Sequence, residues 1–93
     1  MLTLVSCKKD PVACFSVDKG KTAKINEEVQ FNAACSTDAD TFEWTYKSGT
    51  TVLSTATGVL AKFKFTVKGI VKITLVAKKG SSTAEFSQDV EIL

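Results

Sequence analysis

Short segments in which apolar and polar residues alternate make up most of this 93-residue chain. A period of two places the apolar side chains on one face of a β-strand, whereas a helix needs a period of 3.6. Turn-forming residues separate the segments, and none has helical spacing. The pattern therefore predicts a single all-β domain, a sandwich of about seven antiparallel strands. The predicted strands cover residues 12–17, 28–33, 41–47, 51–53, 59–67, 70–78 and 83–93.

The apolar face of each segment predicts the core. Segment 41–47 carries Phe42, Trp44 and Tyr46 in alternation with polar residues, which places Trp44 at the core's centre. The short segment 51–53 is predicted to lie at a sheet edge. The other inward positions are Ala13, Phe15, Val17, Val29, Phe31, Ala33, Ala61, Phe63, Phe65, Val67, Val71, Ile73, Leu75 and Ala77.

The last two segments predict their own pairing. Placing Ala77 opposite Ala84 brings Leu75 opposite Phe86 and Val71 opposite Val90, so that apolar residues stay together. The same register puts Lys72 across from Asp89. Lys62 and Lys64 point outward, where they form a solvated face and guard the strand against edge-to-edge aggregation.

Composition argues against several functions. The chain has no His, so a Ser or Cys nucleophile would lack its usual base, and no catalytic motif is present. All 12 basic residues are Lys, and without Arg the bidentate contacts favoured by readers of phosphates and bases cannot form. Zinc is disfavoured because Cys-x-x-Cys spacing is also missing. We expect no enzymatic activity, no cofactor and no nucleic-acid partner.

Residues Leu4-Val5-Ser6-Cys7, followed by Lys8-Lys9-Asp10, look like a bacterial lipobox with a polar tether. Cys7 would then carry the lipid anchor, and residues 1–10 would be the remnant of a signal peptide and its tether. The residues before the lipobox are fewer than a normal signal peptide contains, which fits a misplaced or trimmed start. The alternative is a free or disulfide-forming Cys7 in an ordinary N-terminus. No segment has 18 apolar residues, so membrane attachment would be through the lipid.

Three cysteines are an odd number for an exported protein. If Cys7 is lipidated, Cys14 and Cys35 remain as a pair, whose loop of about 21 residues would contribute roughly 3 kcal/mol. Two reduced thiols in a cytosolic protein are the alternative. Strict alternation points Cys14 away from the core and Cys35 toward it, so a bulge or strand end near Ala34 would be needed.

Four blocks resemble the PKD (polycystic kidney disease) domain, an immunoglobulin-like β-sandwich of extracellular proteins, over residues 11–93. They are Ala13-x-Phe15, Glu27-Glu28-Val29-x-Phe31, Ser36-x-Asp38 leading to Trp44, and Phe65-x-x-x-Gly69-x-Val71-x-Ile73-x-Leu75. The resemblance implies a core signature of Phe15, Phe31, Trp44, Phe65, Gly69 and Leu75. Some PKD-like envelope lipoproteins carry cysteines at the places of Cys14 and Cys35, which supports that disulfide.

The chain also departs from the family pattern. The hallmark Trp-Asp-Phe-Gly-Asp-Gly reads Trp-Thr-Tyr-Lys-Ser-Gly at residues 44–49, and the loss of both acidic residues disfavours calcium. Asn26 replaces the usual Gly before a strand. Asn tolerates a positive φ, so we expect it to adopt the backbone conformation of that Gly. Val71 stands where the family usually has Tyr.

These features predict a lipid-anchored, non-catalytic protein of the bacterial envelope, on the outer membrane or cell surface. Its domain would bind a protein or glycan or serve as a structural module. The alternatives are a glycan-binding accessory lipoprotein of a polysaccharide-uptake system, a calcium-stabilised adhesin module and a small secreted enzyme. Asp38 and Asp40 are interpreted as turn-capping loop residues rather than calcium ligands or an acid–base pair. Trp44 and Tyr46 are interpreted as core rather than as a sugar-stacking platform.

Overall fold

Eight strands in two sheets form the domain in a computed structural model that describes residues 10–93. A small sheet has the order β1-β3-β6, and a large sheet has the order β2-β8-β7-β4-β5. Neighbouring strands are antiparallel except for β2 and β8, which are parallel. The predicted all-β sandwich is confirmed. The strands are β1 (Ser16–Val17), β2 (Thr22–Ala23), β3 (Glu28–Asn32), β4 (Thr41–Ser48), β5 (Thr51–Thr57), β6 (Leu60–Lys64), β7 (Gly69–Lys79) and β8 (Ser82–Ile92).

Aromatic side chains fill the space between the sheets. Trp44 and Tyr46 of β4 are buried against Phe31 of β3, with ring centroids 5.8 and 5.2 Å from the Phe31 ring. Phe65 meets Phe31 edge to face at 6.3 Å. Aromatic side chains bury about 150–250 Å² each, so these rings contribute strongly to the stability of the core. The inward residues of β7 are all buried, as their alternation predicts: Val71, Ile73, Leu75 and Ala77.

The pairing of β7 with β8 follows the predicted register. Ala77 lies opposite Ala84, Leu75 opposite Phe86 and Val71 opposite Val90. The long hairpin holds this register because a slip of one residue would turn every apolar side chain to the wrong face. Phe86 stays 42% exposed, yet it packs edge-on against Phe15 at 5.3 Å.

Two of the strands are much shorter than their predicted segments. Segment 12–17 is a strand only at Ser16–Val17, and Val12 forms an isolated bridge with Thr37. Cys14 exchanges both backbone hydrogen bonds with the Ser36 hydroxyl, at 2.9 and 2.7 Å, instead of joining a ladder. In segment 59–67, β6 ends at Lys64 because the Phe65 carbonyl accepts a bond from the Asn26 amide at 2.8 Å.

The early end of β6 corrects the prediction for Val67. Phe65 is buried, but Val67 is 50% exposed because alternation no longer maps onto a sheet face once the chain leaves the ladder. Asn26 has the expected positive φ, at 64°.

The edge strand β5 is longer than the predicted segment 51–53. It continues through Thr57, which pairs with Glu43, and a β-bulge follows the Tyr46–Ser54 pair. Its Ser, Thr and Ala residues give little apolar contrast, so the alternation does not mark its second half. The two-residue strand β2 cannot be predicted from alternation, since two residues carry no period.

A disulfide joins Cys14 and Cys35, whose Cα atoms are 5.3 Å apart, and the predicted pairing is confirmed. Cys35 does not face the core as strict alternation implied. It is exposed in a turn because β3 ends at Asn32, whose side-chain Oδ1 accepts a bond from the Ala34 amide at 2.8 Å. This strand end resolves the parity problem. The proposed lipid site, Cys7, lies outside the described residues.

Candidate functional site

The strand registers gather several connections at one end of the sandwich. The isolated bridge ties Val12 to Thr37, and the Ala33 amide donates to the Val59 carbonyl at 2.8 Å. The Asp40 amide donates to the Lys78 carbonyl at 2.7 Å. The start of the described chain, the loop after β3, the β5–β6 turn and the β7–β8 turn therefore lie at this end.

A groove opens at this end beside the edge of the large sheet, and we call it the Phe42 groove. Its volume of about 530 Å³ falls within the range of about 300–1,000 Å³ typical of small-ligand sites. It lies where β4 begins and β5 ends. The groove is lined by Asp40, Thr41, Phe42, Glu43, Thr57, Gly58 and Val59.

Hydrogen bonds hold the groove in shape from both sides. The buried Trp44 donates its indole N–H to the Gly58 carbonyl at 2.8 Å, and the Gly58 amide donates to the Phe42 carbonyl at 3.1 Å. Gly58 has a φ of 103°, a conformation that side-chain-bearing residues rarely adopt. Glu43 forms a 2.8 Å ion pair with Lys78, in which both side chains remain partly exposed. Trp44 therefore supports the groove wall as well as the core.

The groove combines an apolar surface with oxygen-bearing side chains. Phe42 is half-buried, so part of its ring remains accessible. The carboxylates of Asp40 and Glu43 accept hydrogen bonds, and the hydroxyls of Thr41 and Thr57 can donate or accept them. This set suits a ligand that presents C–H groups to an aromatic ring and hydroxyl groups to carboxylates, as a sugar does.

A second, shallower groove of about 330 Å³ lies on the outer face of the large sheet, and we call it the sheet-face groove. The strand registers align Ser87, Thr74, Thr45 and Thr55 in one row across β8, β7, β4 and β5. The Thr74 and Ser87 hydroxyls are hydrogen-bonded at 3.0 Å. The groove is lined by Thr45, Lys47, Lys72, Thr74, Val76, Glu85 and Ser87.

The structure distinguishes between the two interpretations of the strand β4 aromatics. Trp44 is 0% exposed and Tyr46 is 1% exposed, so both belong to the core and neither forms a surface platform. The Tyr46 hydroxyl has no hydrogen-bond partner within residues 10–93, and burial raises its pKa to about 12. Tyr46 is therefore not suited to proton transfer near neutral pH.

The structure does not gather the other predicted site residues into one site. Asp38 is exposed and has a φ of 56°, which fits a loop role, whereas Asp40 lines the Phe42 groove. Residues 10–93 contain no group of three or more His, Cys, Asp or Glu side chains placed to hold a metal ion. Lys62 and Lys64 are exposed on β6. Within the same residues, no helix is long and apolar enough to cross a membrane.

The Phe42 groove was not apparent from the sequence. Alternation predicts Phe42 to be a core residue, whereas it is only half-buried, and no sequence motif marks residues 57–59. One signal in the sequence points to the groove: Phe42 lies near the start of its strand, where a core side chain has neighbours on fewer sides and can remain partly exposed.

Comparisons with known proteins bear on the fold. Neither a family model nor a curated protein matches the chain. One similar solved structure comes from work on the promiscuous specificity of carbohydrate-binding modules of the β-sandwich superfamily. The similarity has a TM-score of 0.79 at 20% identity and covers 91% of this chain. It covers 35% of that chain, so the present sequence spans about a third of its length.

This likeness shows an immunoglobulin-like β-sandwich. At 20% identity it does not extend to a shared ligand. Membership of the PKD family and lipidation at Cys7 stay predictions.

Proposed function

We propose that the chain is a non-catalytic glycan-binding module of the bacterial envelope. The single observation that carries this proposal is the Phe42 groove, in which one accessible aromatic ring is bordered by two carboxylates and two hydroxyls. The likeness to a carbohydrate-binding module supports the proposal at the level of the scaffold.

The ligand would be a short stretch of a polysaccharide. The C–H face of a sugar would pack on Phe42, and its hydroxyls would donate to Asp40 and Glu43. Because the bond from the buried Trp44 to Gly58 holds one groove wall before any ligand arrives, this wall would need little ordering on binding. No catalytic step is required of these residues.

Attachment to the membrane is the second part of the proposal. Cys7 would carry the lipid on the envelope surface, and residues 8–10 would be a short tether. The described chain begins at the end of the sandwich that holds the Phe42 groove, so a tether would join the domain at that end.

The groove is tested with Phe42→Leu, which keeps an apolar side chain but removes the aromatic ring. The matched control is Phe63→Leu, since Phe63 is also half-buried against the core but lies on β6. A glycan array identifies the best neutral ligand of the wild-type protein, and calorimetry compares the variants. We expect Phe42→Leu to weaken binding about tenfold and Phe63→Leu to leave it within about twofold. Equal affinities of the two variants would refute the role of the groove.

Lipidation is tested by the intact mass of the natively expressed protein. A diacylglycerol on Cys7 predicts a mass above that of the unmodified chain that begins at Cys7. Cys7→Ala should abolish this increase and should also remove the protein from the membrane fraction. An unprocessed N-terminus in the wild-type protein would contradict the anchor and leave the groove proposal standing.

A further inference from the structure

Two lysines face each other directly on the outer face of the large sheet. Lys47 of β4 and Lys72 of β7 are register partners, and both are exposed. Both line the sheet-face groove. Like charges placed directly opposite each other on neighbouring strands destabilise a sheet. Replacing either lysine with a neutral residue would therefore remove a repulsion from the folded sheet.

Within residues 10–93, neither lysine forms an ion pair closer than 4 Å with a carboxylate. Asp89 of β8 is opposite Lys72, but within residues 10–93 the salt bridge closer than 4 Å joins Lys78 and Glu43 instead. Glu85, the carboxylate that lines the same groove, lies four residues from Asp89 along β8, or roughly 13 Å at the rise of a strand. The two ammonium groups therefore face an open groove with no bonded counter-ion from the described chain.

Hydroxyl groups border the lysines on the same face. Two residues along each strand from the lysine pair come Thr45 and Thr74, and Thr74 bonds the Ser87 hydroxyl at 3.0 Å. Two residues beyond the Thr45–Thr74 pair, Glu43 of β4 lies opposite Val76 of β7. Val76 lines the sheet-face groove, and Glu43 lines the Phe42 groove. The two grooves therefore meet along β4, and Lys47 and Glu43 are about 13 Å apart along the strand.

We infer that the sheet-face groove binds the oxyanion of an acidic glycan, a carboxylate or a sulfate ester. An oxyanion between Lys47 and Lys72 replaces their repulsion with two attractions, and each ammonium offers three donors to it. The hydroxyls of Thr45 and Thr74 meet the hydroxyls of the same sugar. This inference rests on the proposed function, since the neighbouring neutral sugar occupies the Phe42 groove.

The probes are three soluble polymers: polygalacturonate with carboxylates, heparin with sulfate esters and dextran as the neutral reference. The variant pair is Lys47→Gln with Lys72→Gln. The matched control is Lys62→Gln with Lys64→Gln, which removes the same charge from the exposed face of β6. Affinities are measured at about 50 mM and about 500 mM salt, because screening weakens exposed charge pairs.

We expect at least one acidic polymer to bind about tenfold more tightly than dextran at low salt, and the preferred polymer identifies the oxyanion. Lys47→Gln/Lys72→Gln is expected to abolish this preference, and the control is expected to change it less than about twofold.

Equal losses in the two double variants would mean a general charge effect and would overturn the inference. An affinity for dextran that matches both acidic polymers would overturn it too. The proposed function fails in a different way, when Phe42→Leu leaves binding of the array-selected neutral glycan unchanged.

Discussion

Removal of the disulfide is the perturbation whose size the structure defines best. Cys14 and Cys35 are separated by 21 residues, and closing a loop of this length stabilises the folded state by about 3 kcal/mol. The bond mainly restricts the unfolded chain. In the folded protein, Val12 and Thr37 exchange two backbone bonds at 2.9 and 3.1 Å beside it, and Ser36 bonds Cys14 twice. The Cys14→Ser/Cys35→Ser variant is therefore expected to keep its fold.

The expected loss of unfolding free energy in the double variant is large for a domain of this size. Small domains have a free energy of unfolding of about 5–15 kcal/mol, so 3 kcal/mol is a fifth or more of the total. Because each kcal/mol shifts the melting temperature of a small domain by about 4–8 °C, we expect a fall of roughly 12–24 °C.

Urea unfolding followed by tryptophan fluorescence measures this loss. The chain has one Trp, and Trp44 is fully buried, so its emission reports exposure of the core. Ser36→Ala is the control, because it removes two hydrogen bonds at the same place without opening the covalent loop. It should cost about 1–3 kcal/mol, and the protein should remain sensitive to reductant.

Reductant gives an independent readout of the same quantity. It should destabilise the wild-type protein by about as much as the two serine substitutions do, and it should leave the double variant unchanged. A double variant within about 1 kcal/mol of the oxidised wild-type protein would refute the loop-closure argument.

Three further substitutions test the core, the buried phenol and the lysine pair. Trp44→Phe removes the indole bond to Gly58 and some core volume, so unfolding followed by circular dichroism should show a loss of about 1–3 kcal/mol; an unchanged stability would contradict the supporting role of Trp44. Tyr46→Phe removes a hydroxyl without a partner in residues 10–93, so stability at neutral pH should fall by less than about 1 kcal/mol or rise. Because the folded pKa of about 12 exceeds the ordinary value of 10.0, the phenol's contribution is present below pH 10 and is lost as the pH rises toward 12. The wild-type protein should therefore lose stability faster than Tyr46→Phe across that window, and parallel curves would argue against the buried phenol. Lys47→Glu places opposite charges across from each other and should raise stability by about 0.2–1 kcal/mol in the absence of ligand; a loss of stability would contradict repulsion between the lysines.

The parts of the fold that the sequence predicts well are those in which one face alternates over many residues. The β7–β8 register follows from Val71, Leu75 and Ala77 because every shift by one residue would expose them. The same alternation places Trp44 in the core, where the structure has it. The disulfide was predicted from the number of cysteines and from a family resemblance, and its geometry depends on where β3 ends.

The parts that could not be predicted depend on contacts between distant residues. The early end of β6 follows from the bond between Asn26 and Phe65, and the two-residue β2 exists because Ala23 pairs with Ile92. The Phe42 groove requires the bond from Trp44 to Gly58 across 14 residues. None of these contacts has a period or a local motif in the sequence.

Mapping backbone amide chemical shifts during a glycan titration tests the central claim most directly. The ligand is the glycan that the array selects, and the reference is a titration of Phe42→Leu. The proposed function predicts that shift changes concentrate at residues 40–43 and 57–59 and become much smaller in the variant. Changes confined to the opposite end of the sandwich, around Gly20 and Gly49, or no changes with any selected glycan, would contradict it.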